Sequence, residues 1–472
     1  MKRPSWISLR RTVRVVLNSL AGIALLAAFA QPSPGETNSP SVSTNVPVWL
    51  TSPLALADCL DLALQQNGTI LKAKSDLEAA YGVVVQTRAI AIPKVQATGN
   101  YTDYDPSAID KFPFGGPTFA QPHESWSAGL QILQSVYEGG RIASAFRTAR
   151  LTREQALLQY QTVVADTLIA TRVAYYDALV AGQQVLVREA SVNLLAKEQE
   201  DQQRRHDAGT VPRFNVLRAE VAVANARPPL IRARNALRLG KNNLVNLLGY
   251  NLPREILEDV PLQLSDKLEA EPYEIDLPAA IAQALEKRTE LAALRKGEEL
   301  QQENIVNARS GYKPSVQLFA GYGWRNSQFT PDLSRDVDGW NAGAQLSWNI
   351  FDGLLTRGKI TQARALHAKS KTEIDDTARR IELEVRTAYS SFIEAREVLE
   401  SQKKVQEQAD EALRLARARA EAGTGTQLDV LDAQTSLTEA RTTQVQALHD
   451  YSVARARLER AIGQEIVPVP VK

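Results

Sequence analysis

The chain has 472 residues, with 55 Lys+Arg against 54 Asp+Glu. That balance excludes the basic excess that marks a nucleic-acid binder. A single cysteine excludes an intrachain disulfide and a Cys-based zinc site, and 6% aromatics with plentiful Ala, Leu, Gln, Glu and Arg favour long helices.

The N-terminus reads as a secretory signal peptide over 1–30. Lys2 to Arg14 is basic, Val15 to Ala30 is apolar, and Ala28-Phe29-Ala30 precedes Gln31 as a cleavage site. The apolar core is too short to span a bilayer, and no other run approaches the roughly 20 apolar residues a spanning helix needs. Any membrane insertion of the mature chain must therefore use strands. Residues 31–53, rich in Pro, Ser, Thr and Asn, read as a flexible tail. Cys59, preceded by Asp58, is not a lipid-anchor cysteine. The four histidines (His123, His206, His367, His449) are scattered and read as surface residues; no metal site, cofactor or catalytic residue is expected.

The rest divides into two related halves. Leu54–Tyr101 matches Ile275–Tyr322 at a spacing of 221. Trp126-x-A-G-x-Q then matches Trp340-x-A-G-x-Q at 214, as do Arg172-x-Ala-Tyr with Arg386-x-Ala-Tyr, A-G-T at 208–210 with A-G-T at 422–424, and Gly249 with Gly463. The period is far too long for a solenoid, so a domain-sized unit is duplicated. The expected organisation is repeat 1 over 54–250, an inter-repeat linker or equatorial segment over 251–274, repeat 2 over 275–463 and a tail over 464–472.

Each repeat predicts a helix (about 54–90 and 275–311), a strand after Pro93 or Pro314, and a polar loop. A second strand follows (125–136 and 339–350), then a very long helix to A-G-T and a returning helix. In repeat 2, Val316, Leu318, Ala320, Tyr322 and Trp324 alternate with small or polar residues. Trp340, Ala342, Ala344, Leu346, Trp348 and Ile350 do the same. Such alternation fits a transmembrane strand or a half-buried soluble hairpin equally. The helices break the tie. Arg141 to Ala208 predicts a helix of roughly 100 Å. Heptad seams run through Val164, Leu168, Thr171, Tyr175, Ala178, Gly182 and Val185, and through Ile381, Val385, Ala388, Phe392, Ala395 and Leu399. Four strands cannot close a barrel, since single-chain barrels start at about eight, and open edges in lipid are costly. Three copies pooling strands would give about twelve.

This duplicated order resembles the TolC family of outer-membrane efflux factors over nearly all of 54–463. The resemblance is carried by L-x-L-x-x-C-L-x-L-A-L-x-x-N (Leu54 to Asn67), Y-K-P-S-V-Q-L (Tyr312 to Leu318), I-F-D-G (Ile350 to Gly353), Ala388-Tyr389 and G-T-x-T-Q-L-D-V-L-D-A-Q (Gly423 to Gln434). It implies a mixed α/β membrane protein: a homotrimer with a 12-stranded β-barrel, four strands per chain, continuous with a long periplasmic α-helical barrel. The implied activity is passive, non-enzymatic export from periplasm or pump to the exterior, as the channel of a tripartite efflux or type I secretion system. The implied partners are a periplasmic adaptor, an inner-membrane pump of RND, ABC or MFS type, and outer-membrane lipid, with no nucleic acid. The competing expectation is a periplasmic coiled-coil adaptor or scaffold without a pore.

Gly209 and Gly423 are expected to end the long helices, with Thr, Asn or Asp starting the return helices. The resemblance makes Gly209, Thr210, Gly423 and Thr424 adaptor-docking tips; tight turns alone would leave the same pattern. Asp429 and Asp432, spaced i, i+3, share one face of the last helix. In a trimer they would form two carboxylate rings that raise each other's pKa and attract cations. The resemblance makes them the constriction of the periplasmic entrance; the alternative is two solvated aspartates. The positions that lock that entrance in the family's best-known member are Asn215, Ala420 and Gly425 here, which cannot form its Arg–Asp or Tyr–Asp links. Tyr322, Trp324, Trp340 and Trp348 are expected at the membrane interface.

Overall fold

The computed structural model describes residues 48–105, 123–251, 259–327 and 332–464. The signal peptide, most of the 31–53 tail and residues 465–472 lie outside them. The end of that tail is packed: α1 (Val48–Thr51) precedes β1 (Pro53–Leu54), and Leu50 is fully buried.

Each helix expected over 54–90 and 275–311 is two helices, which corrects the sequence reading. The first is α2 (Leu56–Gln66) and α3 (Gly68–Arg88), parted at Asn67, whose backbone is extended at φ −62, ψ 125. The second is α6 (Leu277–Lys287) and α7 (Thr289–Arg309), parted at Arg288 with φ −63, ψ 120. The breaks are paid for by side chains. Asn67 accepts from the Thr69 N–H at 2.7 Å, capping α3, and its amide donates to the Leu247 carbonyl at 2.6 Å. Arg288 donates to the Ala461 carbonyl at 3.2 Å. Each break is thus tied to the end of a return helix.

The chain divides into two units. The first holds β2 (Lys94–Asp103), β3 (Glu124–Glu138), β5 (Ser315–Asn326) and β6 (Asp336–Ser347). They form one antiparallel sheet in the order β2-β3-β5-β6, with a register shift in β3 between Ser135 and Tyr137. The alternating residues pair across strands: Val316 with Leu346, Leu318 with Ala344, Ala320 with Ala342, Tyr322 with Trp340. Cross-strand partners share a face, so the apolar sets of β5 and β6 coincide. β6 stops at Ser347, short of the expected 350. Trp348 instead donates its indole N–H to the Tyr312 carbonyl at 3.2 Å.

The second unit is helical. α4 (Arg141–Asp207) and α8 (Leu355–Glu421) have 67 residues each, about 100 Å by helix rise; each begins at the edge of the first unit. α5 (Arg213–Leu247) and α9 (Gln427–Ile462) return against them. Among the described residues, a two-residue parallel pair of β1 with β4 (Gln263–Leu264) completes this unit.

Most seam residues are buried as the heptads require, with Gly182, Ala388 and Leu399 half-buried. Tyr175 and Phe392 are among the largest fully buried side chains. Val185, Leu230 and Ala233 join α4 to α5; Leu413, Val430 and Leu437 join α8 to α9. Between α4 and α9 the contact includes a polar column, beside Leu194 packed on the α8–α9 apolar cluster. Asp177 meets His449 at 2.7 Å, Gln184 meets Gln446 at 3.2 Å and Ser191 meets Thr438 at 3.1 Å. The three α4 residues are seven apart, one heptad column given to polar groups. In this half of the unit the helices lie in the order α5, α4, α9, α8.

Candidate functional site: the helix reversals and their surroundings

The two A-G-T stretches fold alike. Gly209 has φ +73 and Gly423 φ +74, and open space surrounds the position of a Cβ at each. They are there for conformation, not for close packing. The Gly209 N–H donates to the His206 carbonyl at 2.8 Å and the Thr210 N–H to Arg205 at 2.9 Å. In the second turn the Gly423 N–H donates to Ala420 at 3.2 Å and the Thr424 N–H to Arg419 at 2.9 Å. Both threonine hydroxyls donate to the same carbonyls, at 2.8 and 3.3 Å. Each turn closes its helix with a Schellman pair, and all four residues are exposed.

The return helices start differently. α9 opens with a capping box. Thr426 accepts from the Asp429 N–H at 3.3 Å, and the Asp429 carboxylate accepts from the Thr426 N–H at 2.8 Å. α5 opens after Pro212 with no side-chain cap, contrary to the expectation of a polar starter. Pro212 stands at the N-cap with an extended backbone, φ −72 and ψ 151, a conformation within the range its ring imposes.

Asp429 and Asp432 are both exposed on α9. Within one chain the Thr426 backbone N–H and hydroxyl hold the Asp429 carboxyl below its ordinary range, with a further contribution from the Arg419 charge. This is the opposite direction to the upward shift expected of facing carboxylates, because the capping bond acts within the chain. Gly425 lies against Arg419: a Cβ there would come within 2.9 Å of the Arg419 Cβ. Of the aromatics, Tyr322 and Trp324 pack edge to face at 4.9 Å, and the Tyr322 hydroxyl bonds to Asp338. Trp340 and Trp348 are largely exposed.

The histidines are not all surface residues. His449 keeps only 12% of its side chain exposed, between Asp177 at 2.7 Å and Asp450 at 3.0 Å. Burial opposes its charge, but these two carboxylates prevail and raise its pKa above 6.5. His367 is mostly buried against Glu298 at 2.5 Å. Cys59 is buried, and burial with the charges of Asp58 and Asp266 pushes its thiol up to about 12, so it is unreactive. Among the described residues one set of possible metal ligands converges, Asp103, His123 and Glu124. Asp103 and His123 are exposed and already hydrogen-bonded to each other at 3.3 Å.

Sequence reasoning missed a partly buried charge network. Arg460 binds Asp166 at 2.6 Å and Glu290 at 2.5 Å; Arg288 binds Glu290 and Glu384 at 3.0 Å each. Arg172 binds Glu459 at 2.5 Å, and Arg455 links Glu459 to Glu271. Burial opposes the Glu290 charge, yet Arg460 brings its pKa below the ordinary value. The repeated Arg-x-Ala-Tyr was a partial signal. Arg172 enters the network, while among the described residues Arg386 bonds to Glu382 on its own helix.

The profile of the outer membrane efflux protein family matches residues 59–250 and 280–464. Outer membrane protein TolC of Vibrio cholerae serotype O1 is 23% identical over 423 residues, covering 88% of this chain and 91% of that protein. The alkaline protease secretion protein AprF of Pseudomonas aeruginosa is 24% identical over 417 residues, covering 87% and 84%. In fold, the chain is similar to the CmeC outer membrane channel of Campylobacter jejuni. Their TM-score is 0.71 at 16% identity, with 87% and 85% of the two chains covered.

Proposed function

The chain belongs to the outer membrane efflux protein family, and from that premise we propose that it is the outer-membrane duct of a tripartite efflux or type I secretion system. The duct is a homotrimer, passive and non-enzymatic, through which an inner-membrane pump and a periplasmic adaptor export their cargo. Two repeats per chain each contribute two strands, giving a barrel of twelve. The helical unit forms the periplasmic tunnel.

One observation carries this reading. The sheet ends in β2 and β6, and neither has a further partner strand among the described residues. Its surface meanwhile exposes Trp324, Trp340 and Leu346. Free edges and bare apolar faces invite aggregation in water. Both are satisfied if β6 of one copy pairs with β2 of the next and the aromatic faces meet lipid. A periplasmic scaffold without a pore leaves both unexplained.

The reversals at Gly209–Thr210 and Gly423–Thr424 are the adaptor-docking tips. Asp429 and Asp432 line the entrance of the duct, in two rings of three carboxylates. The test is conductance of the purified mature protein in planar bilayers. Trimeric, cation-selective pores are expected; a protein that is monomeric in detergent and silent in bilayers would reject the duct. Asp429→Asn with Asp432→Asn should weaken block by multivalent cations severalfold while leaving trimers intact. Unchanged block would remove these residues from the entrance. Asparagine is preferred to alanine because it keeps an acceptor for the Thr426 N–H.

A further inference from the structure

The sequence scatters its histidines, but the sheet brings one of them to two acids. Asp103 stands directly opposite Glu124 as the outermost pair of the β2–β3 ladder. The ladder carries on one step further, where the Tyr104 N–H donates to the His123 carbonyl at 2.7 Å. Strand pairing therefore positions all three backbones. The chain bends at His123, and its ring turns to the Asp103 side, with Nδ1 3.3 Å from the Asp103 carboxylate.

This corner differs from an ordinary surface in two ways. Like charges directly opposite each other destabilise a sheet. Yet neither acid has a Lys or Arg partner among the described residues: Asp103 has only His123, and the Glu124 carboxylate has none. The His123–Asp103 separation is also long for a bond between imidazole and carboxylate, which favours about 2.7–2.9 Å when charged. It matches the edge of a metal tetrahedron instead. Two donors about 2.0–2.1 Å from a zinc ion stand about 3.3–3.4 Å apart. One ligand atom from each of the three residues lies within 4.8 Å of the other two. Rotation of the half-buried Glu124 side chain closes the remaining distance.

We propose that Asp103, His123 and Glu124 bind a divalent transition-metal ion, with water in the remaining position. The imidazole nitrogen selects Zn2+ and similar ions over Mg2+ and Ca2+, which prefer all-oxygen shells. Three protein ligands make the site open and exchangeable, unlike the closed four-ligand sites of structural zinc. The ion replaces repulsion between the two carboxylates with a shared ligand bond, and so ties β2 to β3. It does so at the strand ends away from those that join α3 and α4. The site stands on the β2–β3 ladder alone, so it holds or fails independently of the duct reading.

The test is calorimetric titration of Zn2+ into the full chain, purified in detergent without a polyhistidine tag. One zinc per chain is expected. His123→Ala and Glu124→Gln should each weaken binding about tenfold or more, while His206→Ala, at the first reversal, should leave it unchanged. A large excess of Mg2+ should not displace the zinc. Without metal, Glu124→Gln should unfold no sooner than wild type, because it removes a repulsion, so its lost binding is not a lost fold. Absence of saturable zinc binding, binding that survives His123→Ala or Glu124→Gln, or displacement by Mg2+ would overturn the site. A metal-free Glu124→Gln protein that unfolds sooner than wild type would overturn it too.

Discussion

Gly249 shows what a single residue is asked to do here. Its φ is +80, and a Cβ would stand 2.2 Å from the Gln66 carbonyl oxygen, at the α2–α3 break. Gly463, its counterpart in the second half, has φ +77, and a Cβ on it would stand 3.3 Å from the Arg288 nitrogen at the α6–α7 break. Each glycine both ends a return helix and admits the broken helix beside it. Gly249→Ala must meet the cost of the left-handed backbone, of order 1–3 kcal/mol, and must also displace Gln66. Gly209→Ala meets only the first cost, because open space surrounds it. Thermal unfolding should therefore rank Gly249→Ala as clearly more destabilising than Gly209→Ala. Equal losses would show that the 2.2 Å approach relaxes freely.

At the scale of elements, the contrast lies between apolar and polar helix seams. Inside each hairpin the seam is Leu, Val and Ala. Between α4 and α9 it is a polar column centred on His449 and Asp177. The histidine's pKa is raised in the folded protein. Its contribution is therefore fully present below the ordinary histidine value and is lost as pH rises through the raised value. Protection factors of the α4 and α9 amides, exchange corrected for its intrinsic base catalysis, should fall on going from about pH 6 to about pH 9. His449→Gln should flatten that dependence without changing the exchange of the α4–α5 seam. An unaltered pH profile in the variant would mean that another group titrates. The heptads themselves were legible from sequence, because burial on a straight helix needs only periodicity. The polar column was not, because Asp177, Gln184 and Ser191 read as solvated until α9 is laid against them.

At the scale of the whole molecule, each of the two units ends, among the described residues, in elements without a further neighbour. The sheet ends in β2 and β6, the helical layer in α5 and α8. An edge strand leaves backbone groups unpaired; an edge helix leaves an apolar stripe bare. In the trimer proposed above, symmetric copies would remove both kinds of edge. The conductance experiment above belongs to this scale.

Periodicity, duplication and turn chemistry were determined by the sequence alone. Alternation over Ser315–Asn326, the unbroken helix from Arg141, and glycine at both reversals depend on local backbone preference and on which residues repeat at two or at 3.5. The breaks at Asn67 and Arg288 were decided only in three dimensions. Nothing local forbids helix at either position; the Leu247 and Ala461 carbonyls, 180 and 173 residues away, make the extended conformation worthwhile. The same holds for the Arg460, Glu290 and Arg288 network and for the burial of His449. A charged residue's sequence neighbours do not say whether water or a distant helix will face it, and that choice alone fixes whether it is solvated or buried in an ion pair.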